Sequence, residues 1–193
     1  MKVLLTGGGS GGHITPLLAV AQKLKQLDPT VQIFYVGERH SKFASMTNGR
    51  EGQRLFDQRY AIFAGKFRRY HGQSWLARLM DVKTLFYNSR DLVFVALGII
   101  QSWWLLRRLK PDVILMKGGY VGVPVGLAAS RRIPLITHDS DAMPGLANRL
   151  VSGRAVFHAT ALPASQYPGY QVSKTRQVGV IVSADYQLMT PQL

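Results

Sequence analysis

Apolar positions along this chain alternate between two kinds of run. Short, nearly continuous apolar stretches, "KVLLT" at residues 2–6, "VQIFYVG" at 31–37, "DVILM" at 112–116, "IPLITHD" at 133–139 and "AVFHAT" at 155–160, read as strands buried on both faces. Between them lie segments whose apolar residues recur at helical spacing: "TPLLAVAQKLKQL" from Thr15, "VPVGLAASRR" after residue 120, and "PGLANRLVSG" after residue 143. In the first of these, Thr15 is placed to cap and Pro16 to occupy the first helical position. "YAIFAG" at 60–65 and "RQVGVIV" at 176–182 add two further candidate strands. Strands alternating with helices predict an α/β chain, a Rossmann-like doubly wound parallel sheet covered on both faces.

One region departs from that rhythm. "GKFRRYHGQSWLARLMDVKTLFYNSRD" from residue 65 mixes cations with large aromatics, and "LVFVALGIIQSWWLL" at 92–106 is almost wholly apolar. The second run is shorter than the roughly 20 residues that span a bilayer. It reads as a buried core helix, a membrane-inserted element or a span, in that order.

The glycines change the picture from fold to chemistry. "TGGGSGGH" directly follows the first strand and places Gly7, Gly9 and Gly12 in G-x-G-x-x-G spacing. Bare backbone at a strand end and a helix start lets amides approach phosphate. The dinucleotide version of this motif wants an acidic residue at the end of the second strand, which only Glu38 could supply, and its last glycine is not followed by a histidine. "KGGYVGVP" at 117–124 and "HDSDAMPG" at 138–145 follow the strands at 112–116 and 133–139, so a parallel sheet brings all three loops to one rim. His13 is the best candidate for acid–base work, since an imidazole accepts a proton near neutral pH; fastening its own loop is the alternative. His138, with Asp139 and Asp141 close by, serves catalysis or a structural network. His40, His71 and His158 have no comparable company, and no acid or histidine pair has metal-ligand spacing within one element.

Composition bounds the partners. The chain has 193 residues, 47% of them hydrophobic, enough for one domain or slightly more. Without cysteine it has neither disulfides nor a thiolate metal site. The opening "MKVLLTGGG" is too short in apolar residues for a secretory signal, so export is not expected. A formal charge of +14 favours anionic partners: phosphorylated ligands, anionic lipid or nucleic acid. No nucleic-acid signature accompanies it, and that reading ranks last.

"GGGSGGHITPLLAVAQKL", "KPDVILMKGGYVGVPVGLAA", "IPLITHDSDAMPGLANRLVS" and "RQVGVIV", in this order and at these separations, resemble the N-terminal half of the MurG-like glycosyltransferases of family 28. The resemblance implies the GT-B architecture of two Rossmann-like domains facing a cleft. It also implies inverting transfer of GlcNAc from UDP-GlcNAc to undecaprenyl-diphosphate-MurNAc-pentapeptide, in peptidoglycan synthesis, at the cytoplasmic face of the cell membrane. Residues 1–180 would be the acceptor-binding domain and 181–193 the start of the interdomain linker, so the chain is either a truncated enzyme or a subunit completed by a donor-binding polypeptide.

By the same resemblance, His13 is the catalytic base. Ser10, Gly11, Gly12, Gly118, Gly119, Tyr120, His138, Asp139 and Asp141 contact the UDP-sugar donor or the polyprenyl-diphosphate-linked acceptor. Lys66, Phe67, Arg68, Arg69, Trp75, Leu76 and Leu79 form a peripheral contact with an anionic membrane, and no cofactor is implied. Where the family usually carries His-Glu-Gln-Asn, this chain has His138-Asp139-Ser140-Asp141; where the family has Asn-Pro-Val-Arg, it has "IVS" at 181–183. Three other readings stay open: a non-catalytic, membrane-recruiting subunit of a two-chain glycosyltransferase, a MurG-like enzyme of different donor or acceptor, and a nucleotide-dependent oxidoreductase using the loop at 7–12.

Overall fold

The computed structural model describes residues 1–66 and 81–182, leaving the side chain of Val82 aside. Strand β1 (Lys2–Thr6) leads through the glycine loop into helix α1 (Gly11–Leu27) and strand β2 (Gln32–Glu38). Two short helices, α2 (Ala44–Asn48) and α3 (Arg50–Leu55), precede strand β3 (Gln58–Ile62), and the long helix α4 (Val82–Leu109) precedes strand β4 (Val113–Met116). Helix α5 (Gly122–Ala128), strand β5 (Leu135–Asp139), helix α6 (Leu146–Val151), strand β6 (Phe157–Thr160) and strand β7 (Thr175–Gln177) complete the order.

The seven strands form one parallel sheet in the order β3-β2-β1-β4-β5-β6-β7. Successive residues of β1 point to opposite faces and both faces are covered, which is why the strand is apolar throughout. Val3 and Leu5 join Ile14, Leu17 and Ala21 of α1 on one face. Leu4 meets Leu106 and Leu109 of α4 and Val123 and Val125 of α5 on the other. The strand order reverses direction between β1 and β4, and there the loops after the two strands pack against each other, Gly8 and Gly9 against Gly119, Tyr120 and Val121.

Three local expectations are corrected. Helix α1 begins at Gly11, so Thr15 does not cap it and Pro16 lies inside it; the Thr15 hydroxyl instead donates to the Gly11 carbonyl at 3.2 Å. Strand β3 lies at 58–62 rather than 60–65, an edge strand whose polar residues are exposed. The strand near 176–182 is three residues long, and Val178, Val180 and Val182 are exposed.

Helix α4 is not the buried core helix expected for residues 92–106. Asp81 caps it, accepting from the Thr84 amide at 2.9 Å, and it runs 28 residues before Lys110 turns it off in the left-handed region at φ 49°. Its inner face is held close: a Cβ on Gly98 would lie 2.0 Å from the Phe63 carbonyl oxygen, so only glycine fits the approach. Its outer face leaves Phe86, Val93, Ile100 and Trp104 56–68% exposed. By length and composition the helix could cross a membrane.

Candidate functional site

The loops after β4 and β5, together with His13 at the start of α1, line a cavity of about 600 Å³. His13 from α1, Lys117, Gly118, Gly119 and Tyr120 after β4, and His138 through Asp141 at the end of β5 all line it, together with Asn148 of α6 and Lys66. The sequence-predicted site residues therefore meet in one place, with a difference among the first loop. Ser10, Gly11 and Gly12 are not part of the cavity wall; they lie behind His13, where Ser10 Oγ is 2.6 Å from His13 Nδ1. Of the predicted membrane contacts, Lys66 is exposed and borders the cavity, while Phe67, Arg68, Arg69, Trp75, Leu76 and Leu79 lie outside the described residues.

The loop after β4 owes its shape to two consecutive glycines in the left-handed region, Gly118 at φ 99° and Gly119 at φ 76°. Its neighbour Tyr120 is tied to the end of β2, donating to Glu38 Oε2 at 2.7 Å. Burial and that carboxylate push the Tyr120 phenol well above its ordinary range, so it is a hydrogen-bond donor and not a base. Glu38, the only acid available to hold a dinucleotide ribose, is thus already occupied.

The third loop is a hydrogen-bonded frame. Asp139 Oδ1 accepts from the Gly145 amide at 2.9 Å and Oδ2 from Tyr170 at 2.7 Å. Asn148 donates to the His138 carbonyl at 3.0 Å, and His138 Nε2 meets the Gly179 carbonyl at 3.1 Å. His138 is 1% exposed, a placement that fits the structural reading better than proton transfer to a bound molecule. His158, read from sequence as incidental, is a buried framework residue: its Nδ1 is 2.7 Å from Thr137 Oγ1 and its ring stacks on Tyr170 at 3.8 Å.

His13 differs from both. It is partly open to the cavity, and burial followed by the nearby Lys117 charge lowers its pKa, with Asp141 and Asp139 pulling the other way. The imidazole is therefore neutral at pH 7. When Nδ1 carries the hydrogen and donates to Ser10, Nε2 keeps a free lone pair, so this tautomer can accept a proton. Among the described residues no group of three or more His, Asp or Glu could hold a metal ion.

Two wall residues escaped the sequence reading. Lys117 is 5% exposed at the end of β4, its amide bonded to the Thr6 carbonyl at 3.0 Å, so it sits at the point where the sheet order reverses. Asn148 is 1% exposed and its Oδ1 has no hydrogen-bond partner. A lysine closing an apolar strand was the available signal for the first; nothing in "PGLANRLVSG" singles out the second.

The titration of the framework histidines has a measurable consequence. Burial lowers the pKa of both His138 and His158 below the ordinary 6.5, so between those lowered values and 6.5 the unfolded chain binds more protons than the folded one. Stability is full above that window and is lost as pH falls through it. Thermal unfolding followed from pH 7.5 to 5 should show Tm falling, with each histidine contributing up to about 1.4 kcal/mol per pH unit. His158→Asn should make the curve shallower by that residue's share and leave the His138 share in place.

A sequence model described as the glycosyltransferase family 28 N-terminal domain matches residues 3–157. The chain is 40% identical over 155 residues to a protein of Clostridium perfringens named UDP-N-acetylglucosamine--N-acetylmuramyl-(pentapeptide) pyrophosphoryl-undecaprenol N-acetylglucosamine transferase, and 41% identical over 155 residues to the protein of that name from Clostridium kluyveri. Each match covers 78% of this chain and 37% of the relative, so the chain spans well under half the length of the curated relatives it matches. The crystal structure of Acinetobacter baumannii MurG superposes with a TM-score of 0.65 at 23% identity, over 93% of this chain and 45% of that one, which is a likeness of fold.

Proposed function

We infer the function from the chain's family: it belongs to glycosyltransferase family 28, of which it carries the N-terminal domain. On that premise the chain is the acceptor-side domain of an inverting N-acetylglucosaminyltransferase. It takes a polyprenyl-diphosphate-linked MurNAc-pentapeptide as acceptor and works with a UDP-GlcNAc-binding half supplied by a further domain or a partner chain. The names of the Clostridium relatives support this choice of donor and acceptor. The observation that carries it is the convergence of His13 with the loops after β4 and β5 on one cavity at the point where the sheet order reverses.

The chemistry follows from the geometry. His13 Nε2 takes the proton of the acceptor hydroxyl as that oxygen attacks the anomeric carbon of GlcNAc; the new C–O bond forms as the bond to the UDP β-phosphate oxygen breaks, and UDP leaves with the electron pair. Ser10 holds the imidazole by Nδ1 at 2.6 Å and so fixes which nitrogen receives the proton. Burial beside Lys117 keeps the base uncharged beforehand. Titration of the chain with a short-chain polyprenyl-pyrophosphoryl MurNAc-pentapeptide tests the assignment. Saturable binding, with GlcNAc transfer only after a donor-binding half is added, is the expected result; a folded chain that does not bind this acceptor overturns it.

The chain rests on the cytoplasmic face of the membrane, where such an acceptor lies. The outer face of α4 supports this, since Phe86, Val93, Ile100 and Trp104 are exposed while Lys83, Arg107, Arg108 and Lys110 stand at its ends. An apolar stripe with basic flanks lies in a headgroup layer, each cation adding about 1 kcal/mol near an anionic leaflet. Co-sedimentation with phosphatidylglycerol vesicles should rise with anionic lipid and fall with salt. The double variant Val93→Glu, Trp104→Glu should cut binding by about tenfold or more. The same face favours a second reading, a non-catalytic recruiting subunit, which predicts membrane binding that survives loss of His13 and no dependence of a partner's transfer on that residue.

A further inference from the structure

Lys117 and Asn148 are polar side chains of the cavity wall with hydrogen-bonding capacity that the protein leaves unused, and His138 Nδ1 beside them is a third unpartnered atom. Lys117 is 5% exposed, and among the described residues its ammonium makes no hydrogen bond and no ion pair. Asp139 is committed to Gly145 and Tyr170, and Asp141 is an exposed residue that acts on Lys117 as a charge without touching it. Asn148 is 1% exposed; its amide group is spent on the His138 carbonyl, and its Oδ1, an acceptor with no donor, is left over.

Both orphans carry a cost that a hydrophobic residue would not. A largely buried lysine whose ammonium faces the cavity without a hydrogen-bonded anion, and a buried carbonyl without a donor, are each destabilising, and neither side chain is needed to fill space that methionine or leucine could fill. They also lie together. The Gly118 backbone runs between them and His13: a Cβ there would be 3.6 Å from Asn148 Oδ1 and 3.6 Å from His13 Cδ2. A ligand satisfying both must offer an anion to the ammonium and an O–H or N–H to the carboxamide oxygen, within reach of the His13 ring. A glycosyl phosphate has that combination, with the donor on the sugar and the charge on the phosphoryl group; an apolar ligand has neither.

We propose that Lys117 and Asn148 form a glycosyl-phosphate subsite, the Lys117 ammonium holding phosphoryl oxygens and the Asn148 carbonyl accepting from a hydroxyl or acetamido N–H of the attached sugar. The subsite rests on the glycosyltransferase reading and deepens it by naming the groups that grip the substrate. It also accounts for Asp141, because the Lys117 charge offsets a carboxylate that would otherwise repel phosphate from the third loop.

Calorimetry on the full chain decides it, with three probes: inorganic pyrophosphate, UDP-GlcNAc, and a short-chain polyprenyl-pyrophosphoryl MurNAc-pentapeptide. Lys117→Met should raise Kd for pyrophosphate and for at least one sugar probe tenfold or more, and leave Tm equal to or above that of the parent. Asn148→Ala should weaken the affected sugar probe and spare pyrophosphate. If only the lipid-linked probe responds to Lys117, the subsite serves the acceptor; if only UDP-GlcNAc responds, it serves the donor and the acceptor-side assignment above is wrong while the subsite stands. Unchanged binding of all probes by folded Lys117→Met overturns the subsite and leaves that assignment intact. Collapse of both Lys117→Met and Lys117→Gln would mark Lys117 as a structural counter-ion and overturn it as well. A parent chain that binds none of the three overturns both.

Discussion

His13→Ala is expected to lower GlcNAc transfer by about 10²-fold or more in the enzyme completed by its donor-binding half, with little change in acceptor affinity. The reasoning is local. The imidazole is neutral at pH 7 and partly open to the cavity, whereas His138, the other histidine of the wall, is 1% exposed with its Nε2 against the Gly179 carbonyl; Tyr120 is held protonated by burial and Glu38, and Asp139 is already hydrogen-bonded twice. Loss of the base should appear in kcat rather than KM, since the ring takes part when the proton moves and not when the acceptor docks. Ser10→Ala separates positioning from chemistry. It leaves the imidazole in place but frees Nδ1, so the rate should fall less than for His13→Ala while the acid limb of the pH profile shifts. Near-normal turnover of His13→Ala would reduce His13 to a fastening of the glycine loop.

How much of this was legible in the sequence depends on how each feature is stabilised. Strands β1, β2, β4, β5 and β6 showed themselves because a parallel sheet covered on both faces demands unbroken apolar runs, and their loops then had to share a rim. The edge strands showed only in place and not in bounds, since their apolar residues at 60–65 and 176–182 run past strands that are mostly exposed and end at Ile62 and Gln177. Helices α2 and α3, "ASMTN" and "REGQRL", are too short for periodicity to register. The start of α1 was hidden because glycine is a poor helix former, about 1 kcal/mol worse than alanine, so the pattern placed the helix after Gly11 and Gly12 rather than on them. Here Ser10 and His13 engage each other across that first turn. In the site, glycines and histidines stood out by type, whereas Lys117 and Asn148 matter through burial and missing partners, which composition does not record.

Gly119→Ala should be the most damaging single methyl beside the cavity. A Cβ at residue 119 would lie 2.1 Å from the Gly8 carbonyl oxygen, and the backbone there sits at φ 76°, where alanine is strained even in open space. The obstacle is main chain rather than a flexible side chain, so relief requires the glycine loop after β1 and the loop after β4 to move apart. We expect a loss of about 3 kcal/mol or more in denaturant unfolding, from the clash and the strained conformation together. Gly153→Ala is the matched control, because a Cβ there meets nothing within 4 Å, and its unfolding curve should overlay the parent's. Where Gly119→Ala remains folded, binding of the pyrophosphoryl acceptor should fall with it, since the displaced loops carry His13 on one side and Lys117 on the other. A variant as stable as the parent that still binds the acceptor would mean that the two loops are not in the contact described, and the cavity beside them would lose its claim to be the place where substrate sits.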